Sequence, residues 1–374
     1  MDAGSKHLNH SMDSLARAIR AAQVVVPCAD LQATMDFFVE RLGFRLDVIF
    51  PADAPTTAVI SGHGTALRLE LANDNAAPAK LRMLYDPAVL VPGTPREFQA
   101  PNGMKIEFVD ANPVIAVPEG RQEFVINRLS GSDAWGTGRA TMQYRDLIPS
   151  RLGGRFVASH IRIPQGGAVP DYVHYHRIRF QMIFCKAGWV KVVYEDQGQP
   201  FVMRACDCVL QPPEIRHQVL EASPGLEVIE IGCPAVHETF ADHDLRLPNE
   251  KVDPGRLFSG QRFLRHIANQ AKWSLWRIDG FEARDTGIAM ATNGLADVRL
   301  VRSSGAHSGT IIHHGELMFW FVLRGEFSLH SKTLGAHQLR ENESCVLPAG
   351  VEFELNAKAG AELLEVALPA VSNS

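Results

Sequence analysis

Hydrophobic and polar positions alternate along this chain in two different rhythms. Near the N-terminus a β-branched run, QVVVPC, leads into ADLQATMDFFVERLGF. There Leu31, Met35, Phe37, Phe38 and Leu42 recur at helical spacing behind Asp30, and Gly43 follows as a stop. RLDVIF, TTAVISGHG and TALRLELAN then read as three strands, so the stretch predicts β-α-β-β-β. Residues 72–80 are rich in Asn and Ala. LRMLYD follows, and REFQAPNGMKIEFVD reads as a hairpin turning at PNG. From about Gly153 to Glu238, and again from about Val298 to Leu368, the rhythm changes. Short apolar strands alternate with Gly and Pro turns, with no amphipathic helix.

These two later blocks are copies of one pattern. YVHYHRIRFQMIFCKAGWVKV matches IIHHGELMFWFVLRGEFSL, and DCVLQPPEIRHQV matches SCVLPAGVEFELN. Aligning Gly188 with Gly325 sets Ile311, His313 and Met318 where His174, His176 and Gln181 stand. Aligning Pro212 with Pro348 sets Phe353 opposite His217. The second copy keeps the shape and loses most of the imidazoles. The segments 121–151 and 242–287 read as linkers of mixed composition, the second of them expected to wrap the β domains. CPAVHETFADHD reads as a surface or lid segment.

Composition narrows the classes. The 374 residues suit two or three domains, and 46% hydrophobic with 21% charged residues is ordinary for a globular protein. A net charge of −5 without like-charge blocks argues against a nucleic-acid partner. No apolar run reaches the ~18 residues of a membrane span, and no signal-peptide core is visible, so a cytoplasmic setting is expected. The six cysteines are scattered in apolar stretches and read as reduced, mostly buried thiols, with a catalytic cysteine as the alternative.

The chemistry concentrates at YVHYHRIRF. Residues i and i+2 of a strand share a face, so His174 and His176 project together. His217 arrives on a new strand behind the QPPEIR turn. Three converging imidazoles can hold a divalent transition metal with positions left open, and imidazole suits Fe, Zn, Cu or Ni alike. By strand parity Arg177, Arg179 and Gln181 point away from the histidines unless a break resets the alternation. The same reset would carry Arg179 toward the cavity. Arg216, beside His217, faces away from it in a regular strand. His313 and His314 are adjacent and point to opposite faces, which does not make a second site.

The second block resembles the cupin superfamily. Its first motif, G-x5-H-x-H-x3-4-E-x6-G, is matched by Gly166 or Gly167, His174, His176, Gln181 and Gly188. Its second motif is matched by Pro212 and His217. Gln181 stands where the family has Glu, Glu214 replaces a motif glycine, and Cys206 or Asp207 lies where glycine is usual. The resemblance implies metal ligation by His174, His176 and His217 with Gln181 assisting. Fe(II) is favoured, with Zn, Ni, Mn or Cu as alternatives, and Tyr172, Arg216 and Arg179 are substrate-contacting candidates. The third block is similar to a degenerate second cupin. The first block resembles the vicinal-oxygen-chelate (glyoxalase/bleomycin-resistance) superfamily. That places Gln23, Glu70 and Glu107 near ligand positions, although KLRMLYD offers no fourth ligand.

The fold expected is therefore mainly β. A vicinal-oxygen-chelate-like α+β domain at 18–115 precedes two jelly-roll-type cupin barrels at 116–247 and 248–371. The function expected is that of a non-haem Fe(II)-type dioxygenase acting on a small chelating aromatic, enol or diketone-like metabolite. The alternatives are a non-oxidative isomerase, cyclase or lyase at the same site, or a non-enzymatic binding protein. A small molecule is the expected partner, without nucleic acid or membrane, and a homodimer is compatible with the domain types.

Overall fold

The computed structural model describes residues 17–41, 43–72, 80–89, 95–99, 105–129, 135–138, 140, 142–305 and 307–371. The Pro101–Gly103 turn and residues 73–79 lie outside the described residues. The chain divides into two compact units, Met1–Ala116 with Glu238–Ala241, and Val117–His237 with Asp242–Ser374. No helix among the described residues is long and apolar enough to cross a membrane.

In the first unit the order read from the sequence is the order observed. Strand β1 (Ile19–Cys28) is followed by α1 (Leu31–Asp36), then β2 (Arg45–Phe50), β3 (Thr57–Gly62) and β4 (Thr65–Leu71). Asp30 caps α1, accepting from Ala33 N at 2.9 Å. The helix is shorter than its apolar pattern, because Phe37–Arg41 widen into a π-turn before Gly43. Its buried side rests Leu31, Met35 and Phe38 on Ala58, Ile60 and Leu69. Strands β5 (Lys80–Tyr85), β6 (Glu97–Gln99) and β7 (Lys105–Asp110) complete one sheet, ordered Glu238–Ala241, β2, β3, β4, β1, β5, β7, β6. β1 runs parallel to β4, and β5 parallel to β7. Between β5 and β6 the described residues hold only the 3-10 turn Pro87–Val89. Of the acidic residues singled out here, Glu70 is paired with Arg68 at 2.6 Å and Glu107 with Arg82 at 3.6 Å. Gln23 is buried opposite Arg82.

The second unit is mainly β and holds the duplication. The first copy consists of β8 (Val157–Ile163), β9 (His174–Arg177), β10 (Phe180–Ala187), β11 (Trp189–Tyr194), β12 (Phe201–Arg204), β13 (Cys208–Leu210), β14 (His217–Ala222) and β15 (Leu226–Cys233). The second copy consists of β16 (Asp297–Ser303), β17 (His307–Ile311), β18 (Leu317–Arg324), β19 (Glu326–Ser331), β20 (Gly335–Arg340), β21 (Ser344–Val346), β22 (Phe353–Ala357) and β23 (Glu362–Leu368). Each copy makes two facing antiparallel sheets. One carries β13-β10-β15-β8 in the first copy and β21-β18-β23-β16 in the second. The other carries β9-β14-β11-β12 and β17-β22-β19-β20. The register repeats as well. Met182 pairs with Leu210 as Phe319 pairs with Val346, and His174 pairs with His217 as Ile311 pairs with Phe353. Gly188 and Gly325 both sit at positive φ in the turn after the long strand. A Cβ on Gly188 would meet Ser223 Oγ at 2.4 Å, so that turn is closed to other residues.

The linkers are strands of the barrels, and they are exchanged. Val125–Asn127, from the segment before the first barrel, pairs with β21 of the second. Leu264–His266, from the segment before the second barrel, pairs with β13 of the first.

Strand β18 reads as an apolar run from Leu317 to Leu323, and β10 as one from Met182 to Cys185, because both of their faces are covered. Phe180, Met182 and Phe184 share a core with Phe319, Phe321, Leu364 and Val366 of the other barrel. Ile183 and Cys185 turn inward with Val190, Val192, Tyr194 and Val228. The second barrel is filled by Trp276, Phe281, Trp320, Phe327 and Phe353. All six cysteines are free; Cys185, Cys208, Cys233 and Cys345 are buried, Cys28 and Cys206 half-buried, and burial pushes the Cys185 thiol up to about 12.

A buried polar chain crosses between the barrels. The Arg145 guanidinium, which can only donate, reaches His160 Nδ1 at 3.2 Å. That fixes His160 as the neutral Nε2–H tautomer, which donates to Glu227 at 2.8 Å, and Lys186 donates to the same carboxylate at 2.6 Å. Burial pushes His160 below its ordinary 6.5. The hydrogen bond from His160, helped by Lys186, holds Glu227 at about 2. Both groups therefore bind protons more readily in the unfolded chain. The contribution of His160 is present above about pH 6.5 and is lost as pH falls below it; that of Glu227 is lost lower, as pH drops from 4.5 toward about 2. The thermal midpoint is expected to fall from pH 7 to pH 5, and His160→Gln to flatten that part of the profile. An equally steep profile in the variant would assign the acid sensitivity elsewhere.

Candidate metal centre

Three imidazoles meet inside the first barrel. Their register on β9 and β14 sets His174 directly across from His217, and the strand alternation brings His176 to the same face. All three are buried, and one ligand nitrogen of each lies within 4.8 Å of the other two. Ring centroids are 4.2 Å apart for His174 and His217, 5.2 Å for His174 and His176, and 5.3 Å for His176 and His217. Among the described residues this is the one group of three or more His, Cys, Asp or Glu side chains arranged to hold a metal.

The surroundings set the tautomers. His174 Nδ1 lies 2.8 Å from Tyr172 O, and His217 Nδ1 lies 3.0 Å from Ile215 O. A carbonyl can only accept, so each Nδ1 carries its proton and each Nε2 presents its lone pair to the cavity. This is the outer-shell arrangement that orients metal-ligating histidines. Three neutral donors on a rigid wall, with the apolar barrel behind them, fit a divalent transition ion with positions left for another ligand.

The other candidates disperse. Gln181 does turn inward, since residues 178–179 break the strand between β9 and β10 and reset the alternation. Its Nε2 is given to Glu230 Oε1 at 2.5 Å, and Glu230 faces the barrel interior from β15 in alternation with Leu226 and Val228. Arg179 does not follow it. Its guanidinium turns to the second barrel and holds Glu316 at 2.9 Å, a carboxylate shared with Arg155 at 2.6 Å. The expected link between Arg179 and Gln181 therefore fails, because Arg179 precedes the strand and points out at the barrel junction. Arg216 lies over the Tyr175 ring at 4.0 Å and pairs with Asp242 at 3.1 Å, on the side of the strand away from His217. Tyr172 stays close, its ring 5.8 Å from that of His174.

Three side chains at the site were not singled out as such from the sequence. His237, read as part of a surface or lid segment, stands with its ring 5.3 Å from His176. Gln211 places Nε2 3.4 Å from His217 Nε2, and Tyr194 donates to Gln211 Oε1 at 2.5 Å. The signal for Gln211 lay in the repeat: the second copy has Leu347 in its column.

The degenerate barrel shows what fills such a centre. Ile311 and Phe353 occupy the columns of His174 and His217. His313, in the column of His176, spends Nε2 on Leu347 O at 2.7 Å and accepts from Gly315 N. It is a hydrogen-bonded core histidine, in keeping with the adjacency of His313 and His314, which does not make a second site.

No protein-family model matches the chain, and no curated protein matches it. Among solved structures it is similar to a salicylate 1,2-dioxygenase from Pseudoaminobacter salicylatoxidans with gentisate. Identity is 14%, covering 67% of this chain and 82% of that one, with a TM-score of 0.48. It is also similar to a putative glyoxylate-induced protein from Pseudomonas aeruginosa (11%, 70% and 95%, 0.49) and to an oxalate decarboxylase from Lactobacillus farciminis with formate (14%, 66% and 88%, 0.45). At these identities and scores the functional reading rests on the geometry of the chain itself.

Proposed function

We propose that this chain is a metal-dependent enzyme of the cupin type, with His174, His176 and His217 as the ligands of one divalent ion, Fe(II) by preference. The observation that carries the reading is the convergence of three buried imidazoles, two of them held by backbone carbonyls with Nε2 turned to one point. A donor set without a carboxylate leaves a bound ion its full positive charge, so it would serve as Lewis acid and template and, as iron, bring O2 chemistry. The protein supplies orientation, an apolar wall of Val190, Val192 and Met203, and Tyr172 at the edge of the histidine cluster. The reaction we infer is dioxygenation of a small chelating aromatic, enol or diketone-like metabolite.

One observation favours a second reading. Glu230 brings a carboxylate to the interior of the same barrel, aligned by Gln181, and a fixed carboxylate is suited to moving a proton in an isomerase or lyase. Oxygen uptake separates the two. Protein reconstituted anaerobically with Fe(II) and screened against catechols, hydroxy-acids and β-diketones is expected to consume O2 stoichiometrically with substrate, and the zinc form is expected to consume none. Turnover without O2, equal in both metal forms, would replace the oxidative reading by the proton-transfer one.

A further inference from the structure

Duplication provides an internal control for deciding which polar groups belong to the site. Most polar residues of the first barrel's interior can be checked against their column in the copy without the three imidazoles. Glu230 has its counterpart in Glu365, which pairs across from Trp320 as Glu230 pairs across from Ile183. Glu365 is bound by Arg277 and by Trp320 Nε1, so a carboxylate in this column has a structural use in a barrel without the cluster. Gln211 and Tyr194 behave differently. Their columns hold Leu347 and Ser331 in the second barrel, so they disappear together with the histidines. The pair accompanies the cluster, as Gln181, with Met318 in its column, also does.

The geometry says how. Gln211 is buried at the end of β13, and its own N–H is fixed on Gln181 O at 2.9 Å. Tyr194 is buried too, and its phenol O–H donates to the amide. That bond, to Gln211 Oε1 at 2.5 Å, decides the amide's orientation and turns the NH2 group toward His217. The Tyr194 ring also stacks on the His217 imidazole at 5.4 Å and 21°. The NH2 group stands 3.4 Å from His217 Nε2, a long contact for a hydrogen bond, at the one nitrogen of that ring with a lone pair. When an ion takes that lone pair, the buried N–H needs another acceptor close by. An oxygen of the small molecule held at the same centre is placed to be that acceptor.

We propose that Gln211 binds the substrate at the three-histidine centre through its amide N–H, with Tyr194 as the positioning residue, and that it selects ligands bearing an anionic oxygen: a phenolate, enolate or carboxylate. This rests on the metal-centre reading above and adds to it the class of ligand and the group that recognises it.

The test uses the full chain loaded with Co(II) and the chelating chromophore 4-nitrocatechol, followed by its absorbance under argon, together with metal content and thermal midpoint. Gln211→Leu, which installs the residue of the second barrel, is expected to keep the wild-type metal content and weaken 4-nitrocatechol binding about tenfold, the size of a hydrogen bond to a charged oxygen. Tyr194→Phe keeps the ring stack and loses the donor. It is expected to weaken binding about threefold and to raise the pH at which the bound chromophore ionises. Wild-type affinity in both folded variants would overturn the proposal. Loss of metal from Gln211→Leu would overturn it as well, by making Gln211 part of the metal's own hold. Wild-type protein that takes up no Co(II) would mark a different failure, that of the three-histidine reading beneath it.

Discussion

Purified protein is expected to carry about one equivalent of a divalent transition metal, and the His174→Ala/His217→Ala double variant is expected to carry none. These two residues face each other across a strand pair, and each is pinned by a backbone carbonyl two residues upstream. Their removal leaves His176 alone, which cannot hold an ion against water. Loss of outer-shell partners alone costs metal sites 10–100-fold, so loss of two ligands should exceed about a hundredfold. Elemental analysis and a competition titration with a chromophoric chelator give the numbers. The fold should survive, because the second barrel shows the same frame standing with Ile311 and Phe353 in those columns. A folded double variant with undiminished metal would remove the basis of the centre.

The largest stability effect is expected at Arg145. This side chain is almost completely buried. It donates to His160 Nδ1, to Asn342 O at 2.6 Å and to Asn127 Oδ1 at 3.3 Å, tying the first barrel to two segments at the edge of the second. Arg145→Ala leaves a cavity and three unmatched polar groups, and should lower the denaturation free energy by about 3 kcal/mol or more. Arg145→Met fills much of the space without the charge and should cost less, since apolar substitutes for buried ions are often tolerated. Denaturant midpoints of the three proteins settle the order; equal losses in Ala and Met would assign the cost to the hydrogen bonds alone.

Much of this was legible in the sequence, for identifiable reasons. The two-residue spacing of His174 and His176 carries its own geometry, because strand parity leaves no freedom. The repeat was legible because glycine and proline mark the same turns in both copies. What escaped depends on contacts between distant residues. Arg179 sits beside the site in sequence, but Glu316, 137 residues away, takes its guanidinium. Gln211 carries no motif of its own; its one sequence signal is Leu347 in the same column of the second copy, and only the fold brings Tyr194 and His217 around it. His237 lies in a stretch with the composition of a surface loop, and only the fold brings it against His176. The exchanged strands read in the sequence only as linker, because strand exchange has no local signature.

That exchange has a consequence for taking the molecule apart. Each barrel borrows the last strand of its larger sheet from the peptide that leads into the other, so neither is a complete object by itself. Cut between them, each half would lose a strand and bare a hydrogen-bonding edge, along with a broad apolar sheet face. A deletion of the second half would therefore also strip the edge strand from the first. The barrel without the three imidazoles is the missing wall of the barrel that has them, and the two halves are expected to stand or fall together.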